Sequence, residues 1–396
     1  MKKIRLGDIA TLITKGTTPT TIGFSFVDTG VNFVKIESIG ENGEFLPDKF
    51  ARITDECDKK LRRSQLEEND ILFSIAGAIG RTAIVPSSIL PANTNQALAI
   101  IRIPQNAINL RFVLYALQSQ AVEEQSEKQK QGVAQLNLSL KNIADILIPL
   151  VSSEKQDEIV RNLAAIDAAI ALRKEQIRLI DQLVKSRFVE MFGDIQETVP
   201  LSYYIRGLSA GKSLAGEDEC INKVLKTGAT TYDYFDSTQV KNLPLDYIPQ
   251  EEHRVKTGDV IISRMNTAEL VGAAAYVWKA PDHTYLPDRL WKAEVRNTAC
   301  PIFVWQLLIQ KDTKESIRRI ASGTSGSMKN ISKPGVLGIR VIKVEIAAQN
   351  RFAAFVAEVD KSKFRIQKSL STSRKLWTMA QIDAIMNMDF STQRSL

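Results

Sequence analysis

The stretch Arg206-Gly-Leu-Ser-Ala-Gly-Lys-Ser213 has the glycines, lysine and serine with which a P-loop holds a nucleotide, but it is one residue short. A P-loop needs four residues between the glycines of G-x-x-x-x-G-K-[ST], with a strand before and a helix after, so that backbone N–H groups cradle the phosphates. Only Leu208, Ser209 and Ala210 separate Gly207 from Gly211, and Arg206 stands where the first glycine belongs. The acidic continuation Leu214-Ala-Gly216-Glu-Asp-Glu219 is a poor start for a phosphate-binding helix. Nucleotide hydrolysis is not expected.

Other reactive side chains are equally unsuited to catalysis. Cys57, Cys220, Cys300, His253 and His283 are too scattered for metal-ligand spacing, and the odd cysteine count suits a reducing compartment, so neither zinc nor a structural disulfide is expected. Two histidines leave little material for a Ser-His-Asp or Cys-His nucleophile. The glycines of Gly77-Ala-Ile-Gly80-Arg81 lie between two apolar runs with no helix following, which rules out a dinucleotide fingerprint and leaves a hairpin tip presenting Arg81. No N-P-P-[YF], D-P-P-Y or P-D…E-x-K stretch of a methyltransferase or nuclease occurs. The chain is expected to be non-catalytic by itself.

The elements that position these loops repeat. Leu6–Gly16 matches Leu201–Gly211, Glu68–Ser74 matches Thr257–Ser263, and Gln135-Leu-Asn137-Leu-Ser139 matches Met328-Lys-Asn330-Ile-Ser332; Gln156 and Asp167 fall on Gln349 and Asp360. Collinear matches over a whole half mark a duplication, with loop insertions accounting for the drift in offset. In the first half, Phe33–Ile36, Asp70–Ile75, Thr82–Val85 and Ala97–Ile103 are β-rich runs bounded by Gly, Pro and Asn, followed by a helix over Arg111–Gln118. The second half repeats this with Val260–Ser263, Ala273–Trp278 and a helix near Ile302–Ile309.

A long helix begins near Ser153, where Ser153-Glu-Lys-Gln156 has capping-box spacing, and runs to about Phe192 without Pro or Gly. Its apolar residues Ile159, Leu163, Ile166, Ile170, Ile177, Ile180 and Val184 form a coiled-coil seam. The second copy is weaker: Phe352, Phe355, Val359, Ile366, Leu370 and Trp377, with Ser362 and Ser373 in the seam. Such a helix is about 54 Å long, more than one domain core needs, so the two are expected to pair antiparallel with the globular parts at opposite ends. Outward charges such as Arg173, Lys174, Arg178, Lys361, Lys363 and Arg365 read as a solvated face. The fold class is α+β, with two pseudo-repeated α/β domains (1–150 and 196–345) and two long antiparallel coiled-coil helices (151–195 and 346–396).

Composition agrees with a soluble globular protein, at 44% hydrophobic and 24% charged residues. No apolar run approaches the roughly 18 residues of a membrane span, and the start MKKIRLGDIA lacks a signal-peptide core, so a cytoplasmic location is expected. The net charge of +7 lies in the second half, where 28 Lys and Arg face 21 Asp and Glu, against 24 and 24 over residues 1–195. Charge alone favours a polyanionic partner only mildly.

This organisation resembles the specificity subunit of type I restriction-modification systems. The likeness rests on Leu6-Gly-Asp-Ile9, Lys15-Gly-Thr-Thr-Pro19, Asn69-Asp-Ile-Leu72, Gly77-Ala-Ile-Gly-Arg81, Asn95-Gln96, Gln135–Ser139, Ile148-Pro149 with Glu154-Lys-Gln156, and Ile166-Asp-Ala-Ala-Ile170, and spans essentially the whole chain. The second copy departs from it, with Val341-Ile342 for Ile148-Pro149 and Ala347-Ala-Gln349 for Glu154-Lys-Gln156.

The resemblance implies two target-recognition domains, each reading one half of a bipartite double-stranded DNA site, and helices that set the spacing and dock two methyltransferase subunits. It implies further restriction and translocase subunits, with S-adenosylmethionine, ATP and Mg on the partners and no cofactor on this chain. DNA contacts are then expected from Lys15, Gly16, Thr17 and Thr18, from their copy Gly211, Lys212 and Ser213, and from Lys35, Ser74 and Arg81. Asn93, Asn95 and Gln96 join them in the first half, and Arg264, Asn266, Thr267, Asp288 and Arg289 in the second, Arg and Asn being the side chains that pair bidentately with guanine and adenine. The alternative is a coiled-coil scaffold that binds other proteins rather than DNA.

Overall fold

A computed structural model describes residues 2–40, 42–104, 106–129, 137–323 and 328–385, with the backbone alone for 382–385. Gln135 and Leu136 of the repeated motif, and residues 386–396 of the last segment, lie outside these. The chain divides into two compact units, residues 1–174 with 368–396, and residues 175–367. The division falls inside both long helices, Ser153–Phe192 and Ile346–Ile385.

In the first unit a four-stranded antiparallel sheet runs Leu12–Lys15, Leu98–Arg102, Ile71–Ser74, Thr82–Ile84. Alternate residues of its central strand point to opposite faces. Ile71 and Phe73 join Ile101, Phe112 and Ala116 on the side of the helix Leu110–Leu117, while Leu72 joins Leu98, Ile100 and Val34 on the other. Burial on both faces is why this run is apolar throughout rather than alternating. A three-stranded sheet, Ala51–Ile53, Val31–Val34, Ala92–Thr94, has its last pair parallel, and Lys3–Arg5 pairs with Leu147–Pro149. The strand expected over Phe33–Ile36 ends at Val34, where the chain turns into a short 3-10 helix, Ile36–Ser38.

The second unit has the same topology. Its four-stranded sheet runs Ile205–Ser209, Leu290–Val295, Val260–Ser263, Ala274–Tyr276; its three-stranded sheet runs Val240–Asn242, Lys223–Leu225, Thr284–Tyr285, again with a parallel last pair; and Thr198–Pro200 pairs with Arg340–Ile342. The repeat seen in short sequence matches is therefore a repeat of strand order.

Two matched motifs acquire physical reasons. Asn69 and Gly258 both have positive φ, 71° and 97°, and Asp70 and Asp259 each accept the N–H three residues back, at 2.7 and 2.8 Å. The tight turn entering each central strand thus needs a residue that tolerates the left-handed region, followed by a short carboxylate. Gln156 Oε1 accepts the N–H of Asn109 at 2.9 Å while its Nε2 donates to Val151 O at 2.9 Å; Gln349 makes the same pair with Cys300 N–H, 2.9 Å, and Val344 O, 2.7 Å. Each glutamine fastens the start of a long helix to the residue preceding a shorter one, Leu110–Leu117 or Pro301–Leu308. The expected capping box is corrected accordingly. Ser152, not Ser153, accepts the Lys155 N–H, and Gln156 bonds Asn109 and Val151 rather than a serine N–H.

Within the first unit, Ile159 and Leu163 are buried with Phe112 and Tyr115, Trp377 and Ala380 pack on the same cluster, and Arg173 meets Ser369. Within the second, Phe188 and Phe192 pack on Phe352 and Phe303, Arg187 lies over Phe355, and Lys363 pairs with Asp181 at 2.5 Å. In both units residue numbers rise along one helix as they fall along its neighbour, so the pairing is antiparallel. The twelve apolar seam residues from Ile159 to Leu370 are buried or half-buried. Two polar assignments change: Arg173 fills the gap between Ile170 and Ile177, and half-buried Lys363, not exposed Ser362, takes the seam position after Val359.

Candidate nucleic-acid interface

Antiparallel register pairs Lys15 with Ala99 and Ser74 with Leu98, which brings the loops 16–18, 75–81 and 95–97 to one end of the first sheet. Gly16 N–H donates to Asn95 O at 3.2 Å, and the Thr18 hydroxyl to Gln96 Oε1 at 2.5 Å. The second unit assembles the copies in the same way. Gly211 N–H donates to Pro287 O at 3.1 Å, Asp288 N–H to Ser213 Oγ at 3.2 Å, and Arg264 N–H to Arg289 O at 2.9 Å. Residues chosen separately along the sequence thus form one loop cluster in each unit.

Within each cluster the side chains differ in reach. Lys15, Gln96, Lys212, Ser213, Thr267, Asp288 and Arg289 are exposed, and Thr17, Thr18, Lys35, Arg81, Asn95, Arg264 and Asn266 are half-buried. Lys15, Lys212 and Arg289 make no ion pair among the described residues, so their charge is free for a phosphate. Arg81 turns inward, its Nη1 donating to Ile39 O at 3.0 Å. Lys35 pairs with Glu37 at 3.1 Å and lies 5.3 Å from the Phe26 ring centre. Burial acts against the Glu37 carboxylate, but its own backbone N–H and Lys35 outweigh it and hold its pKa below the ordinary range. Asn266 Oδ1 is taken by the Thr267 N–H at 2.9 Å.

Four expected contacts are corrected. Asn93 is fully buried, and its amide is satisfied internally, by Asp58 at 2.9 Å, Leu61 O at 3.2 Å and Ser64 at 2.7 Å. It ties the helix Asp55–Lys60 and the turn after it to the strand Ala92–Thr94, out of reach of any base. Ser74 is fully buried too, accepting the Arg81 N–H at 2.8 Å and donating to Ala78 O across the hairpin. Gly16 and Gly211 spend their N–H groups on the facing loop. A Cβ on either would lie 1.8 Å from Thr94 O or 1.9 Å from Leu286 O, so these glycines permit close backbone approach and do not cradle phosphate.

Sequence reasoning missed three residues here. Lys226 follows the strand Lys223–Leu225 as Lys35 follows Val31–Val34, and is exposed. Asn330 and Trp291 contact Arg264, Asn330 as the acceptor of its Nε at 3.2 Å. The repeat held the signal for Lys226, since both lysines lead into 3-10 helices, Ile36–Ser38 and Thr227–Thr230. Among the described residues no cluster of His, Cys, Asp and Glu is arranged to hold a metal ion, and no helix is long and apolar enough to cross a membrane.

Residues 1–182 match the family model described as the type I restriction modification DNA specificity domain. A 136-residue stretch is 35% identical to the type I restriction enzyme EcoBI specificity subunit of Escherichia coli; it covers 34% of this chain and 28% of that subunit. In fold, the chain is similar to the type I restriction-modification S subunit of M. genitalium, with TM-score 0.54 and 14% identity over 98% of this chain and 96% of that one. It is also similar to a chain from a structure titled as the basis of complex assembly and conformational transition of the type I R-M system, with TM-score 0.55 and 14% identity over 97% of each.

Proposed function

We propose that this chain, whose first 182 residues match the family model of the type I restriction modification DNA specificity domain, is the DNA-specificity subunit of a type I restriction-modification complex. Its two domains each read one half of a bipartite double-stranded site. The carrying observation is the twofold convergence of unpaired cations with hydroxyl and amide side chains at one end of a rigid sheet, Lys15 with Thr18 and Gln96 in one unit, Lys212 with Ser213 and Arg289 in the other. Free cations position a duplex and polar side chains read base edges. The chain works by binding, in the cytoplasm, and chemistry falls to partners: methyltransferase subunits carrying S-adenosylmethionine, and restriction subunits using ATP and Mg.

Apolar residues left exposed outside the helix seam support docking of those partners. Leu172, Leu376 and Met379 are 56, 50 and 58% exposed in the first unit; Leu179, Leu183 and Phe364 are 49, 50 and 65% exposed in the second. A scaffold that binds only proteins leaves the unpaired cations at both sheet ends without a role.

Methylation mapping in a host with and without the gene identifies the target. Binding of the reconstituted complex to that target is expected to weaken steeply with salt, and Lys212→Ala to reduce the slope of log affinity against log salt by about one. Affinity for duplex DNA that salt does not alter contradicts the proposal.

A further inference from the structure

Arg264 is held through its Nε, whereas Arg81, likewise fixed in backbone and side chain, spends its terminal Nη1 on Ile39 O. Arg264 follows the buried strand Val260–Ser263, its N–H donates to Arg289 O at 2.9 Å, and its carbonyl accepts the Ile331 N–H at 3.2 Å, so its backbone is fixed on both sides. The side chain is fixed too. Its Nε donates to Asn330 Oδ1 at 3.2 Å, and the guanidinium carbon lies 5.8 Å from the ring centre of Trp291, itself only 2% exposed. Asn330 is in turn anchored by paired backbone hydrogen bonds with Ser322, 2.8 and 2.9 Å.

With Nε used, the two terminal nitrogens remain, and neither has a hydrogen-bond partner among the described residues. Arg264 lines a cleft of about 360 Å³ together with Asn330, Ser332 and Lys333. The first unit lacks this device. Ile75 occupies the position of Arg264, its carbonyl accepting the Leu138 N–H at 2.9 Å, and strand register puts Ala99 where Trp291 stands.

We propose that Arg264 reads a guanine in the half-site of the second domain, its two terminal nitrogens donating to O6 and N7, with Asn330 and Trp291 as positioning residues that fix the plane of the fork. This rests on the DNA-specificity reading above. A planar donor pair with its third nitrogen already bound presents end-on, which matches the two acceptors on the major-groove edge of guanine. A phosphate contact needs no fixed plane, and exposed Lys212, Arg289 and Lys333 supply charge for that purpose.

The test uses the reconstituted complex and its mapped target, with 7-deazaguanine, which lacks N7, placed at each guanine in turn. One guanine is expected at which the replacement weakens wild-type binding about tenfold and leaves Arg264→Ala binding unchanged. Arg264→Lys keeps the charge and loses the fixed plane of the fork, so discrimination at that base pair should fall while affinity for unrelated DNA persists. Asn330→Ala should blur discrimination at the same base pair and at no other, an effect that a merely structural role does not produce. An Arg264→Ala variant that loses affinity evenly for all sequences marks a phosphate contact and overturns the assignment. So does a target in which no guanine depends on Arg264. A complex with no sequence-dependent binding overturns the DNA-specificity reading itself, and this assignment with it.

Discussion

Arg173 Nε donates to Ser369 Oγ at 2.6 Å, pairing the one cation in the Ile159–Val184 seam with a hydroxyl on the neighbouring helix. A polar residue at a seam position fixes register at a cost in stability. Arg173→Leu should therefore stabilise the fold by about 1 kcal/mol, from buried apolar area that outweighs one hydrogen bond. The check is thermal unfolding of the two proteins side by side; a lower midpoint for the variant would show that the hydrogen bond, not the burial, dominates.

Gly16→Ala and Gly211→Ala should each destabilise their unit by about 1–3 kcal/mol or more, because the added Cβ collides with backbone carbonyls that cannot move independently. Denaturant unfolding measures this. Loss of DNA affinity with stability intact would restore the phosphate role to these glycines.

Gln156→Ala leaves the Asn109 N–H and the Val151 carbonyl without partners, and Gln349→Ala does the same to Cys300 and Val344. Each loss should cost about 1–3 kcal/mol. The two costs should add, since the residues share no partner. Unfolding of both single variants and the double variant tests the additivity.

Asn93→Ala and Gln96→Ala should separate structure from recognition. Asn93 satisfies four internal groups, so its loss should cost about 1–3 kcal/mol. Gln96 is exposed, and its loss should stay within about 0.5 kcal/mol. Paired unfolding and DNA-binding measurements decide the matter; a stable Asn93→Ala protein with altered sequence preference would reverse the assignment.

Asp360 supplies a pH dependence. Burial pushes its carboxyl above the ordinary 3.8, Lys363 opposes this and Asp181 adds to it. A proton held more tightly in the folded state stabilises fully below 3.8, and that contribution is lost as pH rises through the higher folded value. Asp360→Asn removes the dependence. Its stability relative to wild type should therefore improve as pH climbs from below 3.8 to neutral, read from unfolding midpoints across that range.

By itself the sequence determined the duplication, the buried strands at the centre of each four-stranded sheet with a neighbour, both long helices and the seam, because each leaves a periodic or collinear trace: Phe73 between Ile71 and Ile75, or Ile159, Leu163 and Ile166 along a helix. It also marked the loops that carry Lys15, Lys212 and Arg264, since strand order brings matched segments to matched places. Periodicity places Arg173 at a seam position, yet a charge there reads as solvent-facing until the position of Ser369 is known. Which loop residues can reach outward was decided only by the tertiary structure. Asn93 and Asn95 are two residues apart and alike in chemistry; one is sealed under Asp58 and Ser64 and the other is half-exposed, a difference made by chain 29 or more residues away in sequence. The same holds for Gly16 against Thr94, and for Arg264 with Asn330 and Trp291. Local patterns record which way a residue faces along its own element, but a hydrogen bond or a close approach is made between elements and appears only once they pack.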